Sequence, residues 1–292
     1  MNQLIGVLEQ GFIYAILALG VYITFRILDF PDMSVDATFP MGAAITAIMI
    51  SSGFHPLLTL PVSLLIGAVA GAVTGIIHVK LHVRDLLSGI IMMTGLYSVN
   101  LHIAGRANVP LFTFDTIFKN PLISSLPENL QPYAPVIILF LLALITKLVM
   151  DAFFATKLGY LLKATGDNPT LVASLAKDSG SVKILGLAIA NGLVALAGCV
   201  MCQYQRYFDV SMGTGTLVLA VASVILGTQL LRGLRFLKAT TAVVIGSVLY
   251  KGCVAFALSL GLSPFDLKLV TAALLLLIIV AGGYNRKVKH HA

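Results

Sequence analysis

Val182-Lys-Ile-Leu-Gly-Leu-Ala-Ile-Ala-Asn-Gly-Leu-Val-Ala-Leu-Ala-Gly-Cys-Val-Met-Cys-Gln203 is the stretch that decides the class of fold. Almost all of its residues are apolar, and a run of about 20 such residues is what an α-helix needs to cross a bilayer. The stretch does not alternate between apolar and polar residues, as the strands of a membrane β-barrel do. It therefore predicts a transmembrane helix.

Further stretches of the same kind occur along the whole chain. Apolar residues make up 58% of the 292 residues and charged residues only 11%, whereas about a quarter of the residues in soluble proteins are charged. We therefore predict an all-α, polytopic helical membrane protein that forms a single transmembrane domain over residues 1–292. About nine spans are predicted, at 4–26, 37–51, 57–79, 86–104, 134–155, 182–203, 214–230, 239–260 and 267–284.

The basic residues indicate how these spans are oriented. If the spans alternate and the C-terminus is cytoplasmic, three basic residues fall outside, namely Arg106, Lys119 and Arg206. Fourteen fall on the cytoplasmic side: Arg26, Lys80, Arg84, Lys147, Lys157, Lys163, Lys177, Lys183, Arg232, Arg235, Lys238, Arg286, Lys287 and Lys289. This bias follows the positive-inside rule. The net charge of +7 thus reflects topology, and we predict no nucleic-acid partner.

A polar, basic segment, residues 157–180, lies in the cytoplasm on this topology and is called the coupling segment below. Asn168 followed by Pro169 predicts the start of a helix, because Asn accepts hydrogen bonds from first-turn amides and proline fits the first helical position. That helix would run to about Lys177, with Gly180 as its stop. A helix that merely joins two spans would have the same pattern, but a docking site for a partner explains the segment better.

Two polar breaks interrupt the apolar pattern. The first polar break, residues 26–36, contains three carboxylates and a proline, and it is either a cytoplasmic turn or a broken helix that enters the bilayer. The second polar break, residues 203–215, repeats the Asp-x-Ser pattern of the first. With one copy facing in and the other facing out, the pattern is what an inverted structural repeat would produce.

Small and charged residues mark two further features within the predicted spans. Gly67, Gly71 and Gly75 recur at four-residue spacing, which predicts a helix face on which a neighbouring backbone packs closely. Lys251 lies well inside its span, where an ammonium group is costly unless it is paired or reaches the membrane surface. Both a functional role and such an outward extension remain open for this lysine.

The sequence shows no motif for catalysis or for a bound cofactor. The G-x-x-x-x-G-K-[ST] loop that holds nucleotide phosphates is absent. The pairs His78/His82 and Cys199/Cys202 lack the companion residues of a metal site. We therefore predict a protein that is not an enzyme and that has no metal or cofactor of its own.

Several motifs follow one another in an order that resembles a known family. They are Gly11–Gly20, Leu28–Ser34, Val83–Gly95, Gly159–Lys183, Ala222–Gly227, Gly246 and Ser263-Pro264. Together they resemble the permeases of ATP-binding-cassette importers that include branched-chain amino acid and ribose permeases. The most specific part is Lys163–Pro169, which looks like the loop that docks on the ATPase. Leu8–Gly11, Phe25–Asp32 and Phe208–Gly213 are most similar to a subgroup assigned to tryptophan or tyrosine uptake.

The resemblance implies a permease subunit in a bacterial inner membrane that imports a small solute, with an aromatic amino acid favoured. It implies an ATPase dimer that holds ATP and magnesium, a second permease chain (an identical one in the simplest case), an extracytoplasmic substrate-binding protein, and surrounding membrane lipid. The implied ATPase-coupling residues are Gly159, Leu162, Lys163, Ala164, Thr165, Gly166, Asp167, Asn168, Pro169 and Leu171. The implied translocation pathway contains Asp29, Asp32, Ser34, Asp36, Asp209 and Ser211.

Two alternatives stay open at this point. An ion-coupled secondary transporter would use Lys251 and the carboxylates of the first polar break for proton or sodium coupling. A permease of the same family could also carry a sugar or a nucleoside. The capped coupling segment favours the ATP-driven importer, because a secondary transporter does not require such a segment.

Overall fold

The computed structural model describes residues 2–125, 127, 130–168, 172, 178–231, 237–259, 269–273, 275–277 and 280. The helices with defined bounds are α1 (Asn2–Val21), α2 (Val35–Ser51), α3 (Thr59–Lys80), α4 (Asp85–Ala104), α5 (Pro121–Ser124), α6 (Ala134–Phe154), α7 (Lys157–Asp167), α8 (Ser179–Gln205), α9 (Thr216–Leu230) and α10 (Ala239–Ser259). Two short strands, β1 (Asn108–Pro110) and β2 (Tyr207–Asp209), pair antiparallel. The predicted all-α fold class is confirmed.

Six helical segments are long and apolar enough to cross a membrane: Leu4–Ile27, Pro56–Lys80, Asp85–Ala104, Gln131–Phe154, Ser179–Gln205 and Ala239–Ser259. Two further predicted spans, 37–51 and 214–230, correspond to the apolar helices α2 and α9. These have 17 and 15 residues, fewer than the ~20 of a typical span. The ninth predicted span, 267–284, lies largely outside the described residues. A polytopic helical membrane protein is therefore confirmed, with two helices of reduced length.

The helices pair reciprocally across the two halves of the chain. The main partner of α1 is α10, the main partner of α3 is α8, and α1 and α8 also contact each other. Each half thus opens with a long helix that packs on the third apolar helix of the other half. Two copies of one structural unit would produce this reciprocal packing, and it agrees with the repeated Asp-x-Ser pattern.

The glycine face of α3 lies directly on the backbone of α8. A Cβ atom added at Gly71 would be 2.2 Å from the carbonyl oxygen of Leu187, and one at Gly67 would be 2.5 Å from that of Asn191. Gly75 continues the same face one turn further on. Because side-chain carbons cannot approach so closely, only residues without a Cβ allow this contact. The predicted close packing along the glycine face is confirmed.

Candidate functional site

The first polar break lies against the interior of the helix bundle. Before the break, α1 widens into a π-helix over Tyr22–Ile27, and the chain then turns at the exposed Asp29, which has a positive φ of 52°. Asp32 is 1% exposed and Ser34 is fully buried. Irregular backbone at membrane depth is tolerated only where protein encloses it or where it lines a cavity. The burial therefore favours the broken helix over an ordinary turn.

A buried polar network surrounds Asp32. Its Oδ1 accepts hydrogen bonds from the Ser34 amide at 2.9 Å and the Ser34 hydroxyl at 2.6 Å. Its Oδ2 accepts one from Asn191 Nδ2 at 2.7 Å, and the hydroxyl of Thr74 lies 3.5 Å from Ser34 Oγ. All four side chains are buried, so these bonds replace the water that the carboxylate has lost. The network ties the break to both α3 and α8.

The second polar break repeats this turn near the end of the bundle. Asp209 Oδ1 accepts from the Ser211 amide at 2.8 Å and from the Ser211 hydroxyl, and Asn108 lies 3.4 Å from the other oxygen. The hydrogen bond from the Ser211 side chain lowers the pKa of Asp209. The turn is thus stabilised at neutral pH and loses this stabilisation as the pH falls through the lowered pKa. About 21 Å of helix separates Asn191 from the end of α8, so Asp32 and Asp209 belong to separate sites.

The N-termini of α2 and α9 meet at Asp36. Its Oδ1 accepts from the Leu217 amide at 2.8 Å and the Thr216 hydroxyl at 3.1 Å, and its Oδ2 accepts from the Gly215 amide at 2.9 Å. Asp36 lies in the first turn of α2, yet its carboxylate caps α9, where a negative charge also favours the helix dipole. The junction is partly exposed, since Gly215 is accessible and Asp36 is half-buried. Shortened helices whose N-termini converge on one position are typical of transporter binding sites.

Replacing Asp36 with alanine removes the carboxylate that accepts three hydrogen bonds at the start of α9. We expect the free energy of unfolding to fall by about 1–2 kcal/mol, which differential scanning fluorimetry of the purified protein would register as a lower Tm. Asp36→Asn keeps an acceptor oxygen and should lose less. The matched control is Asp85→Ala, because that partly exposed carboxylate accepts a hydrogen bond from the Leu86 amide in its own helix. Equal melting temperatures for the Asp36 and Asp85 variants would contradict the capping role.

The first part of the coupling segment folds as the helix α7, which the sequence did not predict. Thr156 precedes it in an extended conformation, and its hydroxyl accepts a hydrogen bond from the Gly159 amide at 3.2 Å. At the other end, the Asn168 amide donates to the Ala164 carbonyl at 2.9 Å. Asn168 therefore follows the last residue of one helix, a position from which it could also begin a second.

The helix predicted over residues 168–177 lies largely outside the described residues, as do Pro169 and Leu171. The predicted stop at Gly180 is wrong. Gly180 lies in the first turn of α8, where its amide donates to the Asp178 carboxylate at 2.9 Å. The Asp-x-Gly pattern here serves as an N-cap, so the glycine starts the next long helix instead of ending the previous one.

One face of α7 packs directly on the end of α1. A Cβ atom added at Gly166 would lie 1.6 Å from the Ile27 carbonyl oxygen, so the two backbones are in contact there. Leu162 is 1% exposed and packs with Leu28 in the same hydrophobic cluster. Both side chains also lie against Gly186 of α8. The coupling segment thus contacts the first polar break and the helix behind it.

The opposite face of α7 is accessible. Tyr160 on this face is 64% exposed, and Lys163 Nζ lies 4.9 Å from the centre of the Phe154 ring. Leu158 is 51% exposed, but it lies four residues before the buried Leu162 and so on the same side of the helix as that residue. An exposed aromatic side chain on a polar segment is typical of a surface that binds a protein. The predicted coupling residues that the structure describes therefore divide into three groups. Gly159, Leu162 and Thr165 are buried against the permease, Lys163, Ala164 and Gly166 are partly accessible, and Asp167 and Asn168 are exposed.

Comparisons with known proteins agree with these features. The profile described as "Branched-chain amino acid transport system / permease component" matches residues 3–280. The tyrosine transport system permease protein of Clostridioides difficile (strain R20291) is 44% identical over 289 residues, which cover 99% of this chain and 94% of the relative. The ribose import permease protein RbsC of Haemophilus influenzae is 24% identical over 296 residues, which cover 97% and 86%. The chain belongs to the family of branched-chain amino acid transport system permeases.

Proposed function

We propose that this permease subunit imports an amino acid with an aromatic side chain. Family membership makes the chain the membrane component of an ATP-binding-cassette importer, and it decides against an ion-coupled secondary transporter. The identity of 44% to a tyrosine permease and of 24% to a ribose permease supports an amino acid over a sugar. We take the C-terminus and α7 to be cytoplasmic, in accord with the excess of basic residues on that side.

The contact between α7 and the first polar break carries the proposed mechanism. A cytoplasmic ATPase dimer, which holds ATP and magnesium, would bind the accessible face of α7. Movement of α7 on ATP binding would press on Ile27 through Gly166, because no side chain separates the two backbones. The break would pass this movement to α8 through the hydrogen bond between Asp32 and Asn191. Rigid contacts of this kind are what coupling between distant sites requires.

The remaining components complete the transport cycle. A second copy of the chain would form the other half of the pathway, and an extracytoplasmic binding protein would deliver substrate to residues 104–134 and 204–213. The junction at Asp36, where the two shortened helices meet, is the part of the predicted pathway that we place closest to the moving solute. Asp32 and Ser34 act as positioning residues in this proposal, because their polar atoms bond to the protein itself.

Reconstitution tests this function directly. The chain would be purified with its ATPase subunit, placed in proteoliposomes with the binding protein, and supplied with L-[3H]tyrosine. We expect uptake only when ATP is present, and loss of both uptake and ATPase co-elution when residues 166–169 are deleted. Asn168→Pro should likewise abolish uptake while the permease still inserts into the membrane. Unchanged uptake in both variants, or uptake driven by an ion gradient without the ATPase, would overturn the proposal.

A further inference from the structure

Lys251 lies in the middle of α10 without a counter-charge among the described residues. Its Nζ is 3.2 Å from Gln10 Oε1 and 4.0 Å from the centre of the Tyr14 ring. The ion pairs in the described part of the chain involve Asp151 and two other lysines. The amide and the ring offer partial negative charge, but neither neutralises an ammonium group inside a membrane. Counted over the described residues, the site therefore has an excess positive charge.

This ammonium group lines an open cleft between α1 and α10. The cleft has a volume of about 290 Å³, and Gly6, Val7, Val254 and Leu258 contribute to its largely apolar walls. Lys251 is the one charged side chain among the described residues that line it. The volume lies at the lower end of the range for small-molecule sites, which suits a single amino acid and is too small for a whole phospholipid.

We propose that this cleft binds the carboxylate of the amino acid that the permease carries, with Lys251 as its counter-ion. The carboxylate would supply the missing negative charge and form a charge-assisted hydrogen bond with Nζ. Gln10 accepts from Lys251 through Oε1, and its Nε2, which has no hydrogen-bond partner in the part of the chain that the structure describes, would donate to the second carboxylate oxygen. The inference deepens the proposed function and rests on it, since it assigns to one site the charged group that all α-amino acids share.

The position of the cleft also fits a role in transport. It extends from Lys251 towards the N-terminus of α1 and the C-terminus of α10, the end of the bundle that we take to be extracytoplasmic. The Tyr14 ring, which faces Lys251 on one side, stacks on Phe39 of α2 with 6.5 Å between ring centres and 5° between planes. Phe39 lies one helical turn beyond Asp36. The Tyr14–Phe39 pair thus connects Lys251 to the helix that carries Asp36.

Equilibrium binding of L-[3H]tyrosine to the complete permease–ATPase complex in phosphatidylcholine nanodiscs tests this inference. We expect saturable binding to the wild type, and an affinity at least about tenfold weaker for Lys251→Met, because the ion pair is lost. Tyramine, which lacks the carboxylate and keeps the rest of the molecule, should compete at least about tenfold less well. Lys80→Met makes the same exchange at an exposed lysine of α3 and should bind like the wild type.

Gln10→Leu provides a second variant, which keeps the lysine and removes the amide. It should also weaken tyrosine binding, at a melting temperature close to that of the wild type, and so separates ligand recognition from folding. Unchanged tyrosine affinity in both variants would overturn the inference while ATP-driven uptake still supported the proposed function. Equal competition by tyramine and L-tyrosine would overturn it in the same way.

Two further outcomes would point to a different ligand for the cleft. If the wild-type complex hydrolyses ATP but neither binds nor takes up any α-amino acid, the proposed substrate is wrong and the inference fails with it. If an anionic phospholipid co-purifies with the wild type but not with Lys251→Met, while tyrosine affinity is the same in both, the cleft binds a lipid headgroup. Mass spectrometry of the purified complexes would show that lipid, and this result would also overturn the inference.

Discussion

Gly166→Ala is expected to lower ATP-driven uptake at least about tenfold. The added Cβ would fall 1.6 Å from the Ile27 carbonyl oxygen, so α7 must move away from the end of α1, and overpacking of this kind costs about 1–3 kcal/mol. Alanine favours helix formation more than glycine does. A loss of uptake can therefore not be ascribed to a weakened α7. Uptake in proteoliposomes and ATP turnover of the same preparation are the measurements.

Gly95→Ala is the matched control for this substitution. Gly95 also lies within a helix, but an added Cβ would meet no atom within 4 Å. We expect wild-type uptake from it. The informative pattern for Gly166→Ala is continued ATP hydrolysis with little uptake, since the ATPase would still bind the accessible face of α7. Full uptake by this variant would show that the contact between α7 and α1 does not transmit movement.

Asn191→Ala should destabilise the protein by about 3 kcal/mol, because Asp32 Oδ2 loses its partner in a buried environment. Nδ2 of Asn191 donates a hydrogen bond to Asp32 Oδ2 at 2.7 Å, and Oδ1 of Asn191 lies 3.3 Å from Ser34 Oγ. We expect a lower melting temperature and reduced recovery of folded protein. Uptake per folded molecule should fall as well, since α8 would no longer be tied to the first polar break.

A double-mutant cycle distinguishes this network from simple loss of packing. Asp32→Ala combined with Asn191→Ala removes both partners, so no buried carboxylate is left without a donor. The double variant should be more stable than the sum of the two single effects predicts. Strict additivity would mean that the hydrogen bond between the two side chains contributes nothing to stability. Ser98→Ala, at an exposed side chain of α4, serves as the background control.

Most of the helical framework could be predicted from hydrophobicity, since a run of apolar residues has to be helical in a membrane. The eight predicted spans within the described residues coincide with helices to within a few residues at each end. The glycine face of α3 was also predictable, because four-residue spacing puts these glycines on one side of a helix. The reduced length of α2 and α9 could also have been predicted, because each helix follows an Asp-x-Ser turn that marks a break in the apolar pattern.

The partners of the polar residues could not be predicted. Asn191 is a single amide within an apolar span, and nothing in its neighbourhood indicates that it bonds to Asp32. An acidic residue in the first turn normally stabilises its own helix, but Asp36 caps one that begins 180 residues later. Contacts of this range depend on how helices pack, and a local pattern does not specify them. The helix α7 was not predicted for a different reason, because the start signal at Asn168-Pro169 placed the predicted helix of this segment at residues 168–177.

The long-range cap at Asp36 has a consequence for biosynthesis. The Asp36 carboxylate can form these hydrogen bonds only after residues 215–217 have been synthesised. At a translation rate of 5–20 residues per second, this happens roughly 10–40 s later. Until then, the Asp36 carboxylate in the nascent chain lacks its hydrogen-bond donors from the start of α9. The helices α1 and α3 also lack their main partners, α10 and α8, which belong to the second half. We therefore expect a first half made alone to be unstable in the membrane, and the fold to be completed only after both halves have been synthesised.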